Sequence, residues 1–278
     1  MAPISEQATA PPATPLRALV DRYVGYRLSG FPPGVHLGLP SSHLTFIVSI
    51  GPPIDVVAQT DPRQSPGRYG CVLGGLQSRA ARIAHSGHQE GVGIQLTPLG
   101  SRALFGLPAG ALFSTSIELA DLVGSPGHEL WERLQGTVGW SERFAVCDAA
   151  LLGLADLDLA PAPELAHAWE VLVDSGGAVT VAELARRTGW SRQHLTRRFG
   201  DEFGLGPKLA ARVIRFERAR RLLQQRSRPR TIADVAARCG FADQAHLARE
   251  FADLAGTSPR AWLAAEVPSV QDDEPTTV

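Results

Sequence analysis

The apolar positions change period part-way along the chain. Through about residue 159 they fall in short runs separated by Gly and Pro. HLTFIVSI (43–50) has the β-branched and aromatic content of a buried strand and stops at GPP. Residues 54–58, 68–75, 78–85 and 91–98 read as further strands at hairpin spacing, in the manner of a small antiparallel barrel or sandwich. Leu44, Phe46, Val48, Val72, Ile94 and Leu96 alternate along their runs and are expected to share one uncharged face, either core or the wall of a pocket for a mainly apolar ligand. Residues 118–123, 127–134 and 141–154 then show helical spacing, the last with Ser141 as an expected N-cap. The proline- and acid-rich DLDLAPAP (156–163) reads as a linker.

Beyond it nearly everything is helical, with helices predicted at 164–175, 180–188, 191–203, 207–226, 231–239, 243–254 and 258–266. Thr180, Ser191, Thr231, Asp243 and Ser258 stand at N-cap positions, and Thr180 with Glu183 has capping-box spacing. Gly176, Gly177, Gly189, Gly204, Gly206, Gly240 and Gly256 stand where left-handed C-terminal caps are expected. The chain is thus expected to be an α+β multidomain protein. A β-rich, barrel- or sandwich-like N-terminal domain with flanking helices precedes an all-α domain of seven helices containing two helix-turn-helix units.

Those units appear as an internal repeat. TVAELARRTGW (180–190) aligns with TIADVAARCGF (231–241) at an offset of 51. One residue is then gained, and His194, Leu195, Arg197, Phe199, Asp201, Gly204 and Pro207 recur as His246, Leu247, Arg249, Phe251, Asp253, Gly256 and Pro259. Each copy is a short helix, a Gly-containing turn and a longer helix. On the longer helices Arg192, Gln193, Thr196 and Arg197 face outward in the first copy, and Gln244, Ala245, Ala248 and Arg249 in the second. Arg and Gln read guanine and adenine edges bidentately in the major groove. The connecting helix spans about 28 Å, near the 34 Å pitch of B-DNA, so it suits two reading helices in successive grooves.

Charge supports this division. The chain carries 27 basic and 28 acidic residues, yet residues 186–230 hold 14 basic and three acidic ones. Lys208 is the one lysine. Three separated cysteines, Cys71, Cys147 and Cys239, make neither a disulfide framework nor a metal motif. The opening MAPISEQATAPPATP lacks the features of a secretory signal, and no apolar run is long enough for a transmembrane helix. A cytoplasmic protein without membrane contact is expected.

The segment IRFERARRLLQQ through TIADVAARCGFADQAHLAREFADLAGTSPRAW resembles the AraC/XylS family of bacterial transcriptional regulators. Arg215, Ala219, Leu222, Leu223, Ile232, Ala233, Val235, Ala236, Gly240, Phe241, Phe251, Gly256, Ser258, Pro259 and Trp262 carry the likeness, which covers roughly 164–266. Ala245, Leu247 and Ala255 depart from the commoner residues. The resemblance implies a sensory or dimerisation domain at 16–159 and a DNA-binding domain at 160–266, while composition suggests a disordered Ala/Pro/Thr tail at 1–15 and a disordered acidic tail at 267–278. It implies double-stranded DNA as partner, with a small-molecule effector and a second copy of the chain as further partners. The expected DNA-binding residues are Arg192, Gln193, His194, Thr196, Arg197, Gln244, Ala245, His246 and Arg249.

Two other classes fit the sequence less well. An enzyme–regulator fusion of the methyl-acceptor kind needs clustered cysteines, and no GxSxG, HExxH, P-loop or dinucleotide fingerprint is present. A helical protein-interaction module fits the basic window poorly. His85, His88 and Glu90 lie close in HSGHQE but lack a metal-ligand spacing, so neither metal nor cofactor is expected.

Overall fold

The computed structural model describes residues 3–225 and 230–265. Ten strands occur among them: β1 (Ile4–Ala10), β2 (Val20–Ser29), β3 (Gly34–Gly38), β4 (Leu44–Ser49), β5 (Ile54–Ala58), β6 (Gly67–Tyr69), β7 (Cys71–Gly74), β8 (Ala81–His85), β9 (Gln89–Leu96) and β10 (Ser116–Glu118). They pair antiparallel in a six-stranded sheet, β1-β2-β9-β4-β7-β10, and a four-stranded sheet, β3-β8-β5-β6. Tyr26, Ile47 and Val72 of the larger sheet meet Ile54 and Tyr69 of the smaller one. Helices α1 (Ser101–Phe105), α2 (Leu119–Val123), α3 (Ser125–Gln135) and α4 (Trp140–Leu154) follow.

Of the six residues expected on one face, Leu44, Phe46, Val48, Ile94 and Leu96 do share it, and it is core: they are buried in one cluster with Leu130, Leu134, Phe144 and Leu151 of the helices. Val72 lies on the other side, in the contact between the sheets. Gly25 of β2 is the close approach that lets α4 lie down, since a Cβ there would stand 2.3 Å from the Trp140 ring.

The expected disordered tail at 1–15 is corrected for its described part. Residues 4–10 pair in full register with β2. Their Ala/Thr composition suggests low complexity, but edge pairing requires only backbone groups, and β2 has an edge to offer. Glu6 then accepts from Trp140 Nε1 at 2.6 Å and from Arg27 at 3.2 Å. The expected acidic tail at 267–278 lies outside the described residues. α4 begins one residue before Ser141, with Gly139 as its N-cap.

Seven helices make up the rest of the described chain: α5 (Pro163–Asp174), α6 (Val181–Thr188), α7 (Arg192–Phe203), α8 (Pro207–Gln224), α9 (Ile232–Arg238), α10 (Gln244–Ala255) and α11 (Pro259–Ala265). Two cores serve them. Leu165, Trp169, Leu184, Leu195, Phe199 and Phe203 continue the cluster that fills the β region. Val213, Phe216, Val235, Leu247, Phe251 and Trp262 form a second cluster, which Leu39 from the β region enters.

Candidate nucleic-acid interface

Each half of the repeat forms a short helix, a tight turn and a longer helix. Local chemistry fixes the ends. Thr180, Ser191, Thr231 and Asp243 accept the backbone N–H of Glu183, His194, Asp234 and His246. The reciprocal capping box is found at Thr231/Asp234 rather than at Thr180, because Glu183 turns to Arg186 and to Arg187, the latter at 2.7 Å. Gly189 and Gly240 take φ of +71° and +74°, a turn that side chains resist. Gly206 departs from expectation: with φ −73° it is the N-cap of α8.

Leu195 and Phe199 bury one side of α7, while Arg192, Gln193, His194, Thr196, Arg197 and Arg198 are exposed on the other. On α10, Leu247 and Phe251 are buried and Gln244, Ala245 and Arg249 exposed, with His246 and Ala248 half-buried. The structure thus brings Arg192, Gln193, Thr196 and Arg197 onto one uncovered surface, and Gln244, Ala245 and Arg249 onto another. The paired histidines have an internal use as well. His194 meets Trp190 edge-on at 4.7 Å, and His246 meets Phe241 in the same way at 5.4 Å. Nδ1 of His246 also accepts the Ala242 N–H at 3.3 Å, which orients that ring toward the turn.

Three arginines of α8 are engaged within the protein, while Arg218 is exposed. Arg212 binds Glu250 and Asp253, Arg215 donates to the Gly177 carbonyl at 2.9 Å, and Arg221 binds Glu217 at 2.7 Å. The exposed positive charge of the helical region therefore lies on the outer surfaces of α6, α7, α9, α10 and α11, with Lys208 and Arg218 on α8.

A sequence profile described as a helix-turn-helix domain matches residues 184–265. Residues 184–265 are an AraC-type helix-turn-helix domain. The HTH-type transcriptional regulator Rv1931c of Mycobacterium tuberculosis is 41% identical over 85 residues, 31% of this chain and 32% of the relative. YbfI, an HTH-type transcriptional regulator of Bacillus subtilis, is 41% identical over 69 residues, 25% and 24% of the two chains. The match therefore spans a third or less of either relative. ToxT from Vibrio cholerae matches 87% of this chain and 97% of its own at TM-score 0.51 and 13% identity, a likeness of fold. ToxT has also been solved bound to an unsaturated fatty acid, and that structure matches at TM-score 0.51 and 14% identity. Among the described residues no helix is long and apolar enough to cross a membrane.

Ahead of the AraC-type domain, a cavity of ≈190 Å³ lies between the two sheets. Tyr26, Ile47, Ile54 and Ile83 line it together with His36, Asp55, Arg68, His85, His88 and Glu90. This corrects the expectation of a mainly apolar pocket walled by Leu44, Phe46, Val48, Val72, Ile94 and Leu96. The hollow opens on the opposite face of the large sheet, and polar residues converge there. His36 gave no local signal: the topology alone pairs β3 with β8 and sets its ring 5.6 Å from that of His85. Neither ring nitrogen of His85 has a hydrogen-bond partner among the described residues. Glu90 is held by Arg27 at 3.0 Å and by Arg143 at 2.8 Å.

Burial, and then the neighbouring His85, push the His36 imidazole down to about 4 from 6.5. Burial lowers His85 as well. Between these limits the unfolded chain binds protons that the folded chain refuses, so stability rises with pH across the window. The melting temperature is expected to fall by several degrees as pH drops from 6.5 toward 4, and to fall less in His36→Gln. Calorimetric melts across this range check it, and an unchanged slope in the variant counts against a half-buried neutral His36.

Proposed function

We propose that this chain is a sequence-specific DNA-binding transcriptional regulator, with α7 and α10 each entering a major groove and the β region sensing a small molecule, pairing two copies of the chain, or both. The observation that carries the reading is the pair of uncovered helix faces, Arg192, Gln193, Thr196 and Arg197 on one and Gln244, Ala245 and Arg249 on the other. His194 and His246 flank those faces and are proposed to reach phosphate. Helix lengths and caps are those expected of recognition helices, and the relatives named above are transcriptional regulators. The division at about residue 160 and a cytoplasmic location are part of the proposal, and it assigns no enzymatic step or cofactor.

The cavity between the sheets supports a sensory role. A neutral imidazole carries one N–H donor and one acceptor nitrogen. An effector that satisfies His85 must therefore offer both an acceptor and a donor, and the lowered pKa values of the two histidines favour an uncharged polar molecule. Such a molecule raises the melting temperature, because it binds only the folded state.

The proposal separates reading from anchoring. Arg197→Ala is expected to cost about 1–3 kcal/mol on the preferred duplex and to relax the base preference at one position. Arg238→Ala, on the exposed end of α9, is expected to weaken all duplexes alike. Binding measured on selected and scrambled duplexes distinguishes the two. Equal, sequence-independent losses in both variants remove Arg197 from the base-reading set.

A further inference from the structure

The β region grips the first half of the repeat and the connecting helix α8 with buried charge, and it reaches the second half through Leu39. At the first half, Arg102 of α1 forms a two-pronged pair with Glu202 in the last turn of α7, Nε to Oε1 and Nη2 to Oε2 both at 2.8 Å. Glu202 is 5% exposed. Beside it the turn at residues 109–112 lies directly on the end of α7. A Cβ on Gly110 would stand 2.8 Å from the Asp201 carbonyl oxygen and the Gly204 nitrogen, and one on Gly204 would stand 2.3 Å from Phe113. No side chain fits between these backbones.

The second grip is on α8. Ser42, just before β4, donates its backbone N–H at 2.9 Å and its hydroxyl at 2.6 Å to Glu217 Oε2, while Arg221 donates to Oε1 at 2.7 Å. His43 Nδ1 stands 3.7 Å from the same carboxylate. Burial alone would raise the pKa of Glu217. The His43 contact and the charges of Arg221, His43 and Arg220 outweigh it and hold the carboxyl well below its ordinary range. Close by, Leu39 enters the core of the second half.

These contacts leave the reading faces bare. Glu202 stands in the last turn of α7, whereas Arg192, Gln193 and Thr196 occupy its beginning and remain exposed. A contact that covered the reading face would block DNA. One that holds the far end of α7 and the middle of α8 fixes how the two halves are turned relative to each other. Each half alone is joined to the other through α8 and a few core contacts. The β region adds a third body bonded to both.

We infer that the β region is a brace that sets the relative placement of α7 and α10, with Glu202 and Glu217 as its two positioning residues. The inference rests on the DNA-binding reading above and adds where spacing selectivity comes from. A braced pair pays its ordering cost on folding rather than on binding, so it favours the one duplex in which the two read segments lie at the matching separation. Loosening the brace lowers affinity for that duplex and leaves affinity for a mis-spaced duplex, which engages one half at a time, nearly unchanged.

The test uses the full chain and duplexes enriched by in-vitro selection from random-sequence DNA. A second set carries two base pairs inserted between the two protected segments. Arg102→Ala combined with Glu202→Gln opens the first grip without stranding a buried charge. Ser42→Ala, which removes one hydrogen bond to Glu217, is a milder opening of the second. Melting and circular dichroism of both variants establish that they are folded. The expected result is a spacing ratio that falls by about tenfold in the double variant and less in Ser42→Ala, through loss on the matched duplex. An unchanged ratio in folded variants overturns the brace. So does tighter binding to every duplex, which would make the β region a restraint. If the wild-type chain selects no duplex at all, the DNA-binding reading fails instead.

Discussion

Phe199→Ala is expected to lower the unfolding free energy by about 3–5 kcal/mol and to weaken the β region together with the helices. Phe199 is fully buried, with ring centroids 5.9 Å from Trp169 and 4.5 Å from Phe203. Removing the ring leaves a cavity among aromatic neighbours that have little freedom to collapse. The cluster it belongs to runs without interruption from Leu16, Phe46 and Leu96 through Leu104, Ala109 and Leu112 to Leu184 and Ala211. A loss at one end is therefore felt at the other. The repeat counterpart, Phe251, sits in the second cluster against Phe216 at 4.8 Å and Trp262 at 5.6 Å. Phe251→Ala is expected to cost a similar amount but to act first on α8–α11. Denaturant melts followed by near-ultraviolet circular dichroism and by amide exchange check both. A Phe199→Ala variant in which α6 and α7 lose protection while the β sheets keep theirs would contradict the shared core.

That shared core also marks where local sequence ceased to be informative. The helical half was legible to within a residue or two because its signals are local. Thr180, Ser191, Thr231 and Asp243 cap helices wherever they stand, and Gly189, Gly204, Gly240 and Gly256 end them. The fate of Glu217 was not legible. Between Phe216 and Arg218 it reads as one more solvated charge, and its burial depends on Ser42 arriving from 175 residues away. The partners of the α8 arginines were not legible for the same reason, since Glu250 of α10 and the Gly177 carbonyl in the turn after α5 claim Arg212 and Arg215. In the β region, alternation identified which residues share a face. It carried no sign, and helices rather than a ligand turned out to cover the face of Phe46 and Val48. β2 was missed because VDRYVGYRLS interleaves charge and glycine with its tyrosines. In place, Arg27 is neutralised by Glu6 and Glu90, and Gly25 makes room for Trp140. The candidate DNA-facing residues needed only the repeat and the helix period. The cavity needed β3 and β8 to meet.

Raising salt from 50 to 200 mM is expected to weaken binding to a selected duplex by about a thousandfold, if six or so phosphates are neutralised. Exposed among the described basic residues of α6–α11 are Arg186, Arg187, Arg192, Arg197, Arg198, Lys208, Arg218, Arg238, Arg249 and Arg260. Some of these read bases, so about six remain for phosphate, and a slope near −5 in log affinity against log salt follows. Arg186 and Arg187 are tied to Glu183 by exposed pairs, which contribute little and yield readily to a phosphate. Glu183→Gln frees both before DNA arrives. It also removes a local negative charge, so it is expected to raise affinity on all sequences alike without altering base preference. Arg212→Gln is the contrasting case, because Arg212 serves Glu250 and Asp253 inside the protein. It is expected to lower stability while leaving the salt slope in place. Titrations by fluorescence anisotropy at four salt concentrations measure every slope. One shallower than about −2 for the wild-type chain would mean that the exposed arginines do not face the duplex, and the uncovered faces of α7 and α10 would need another partner.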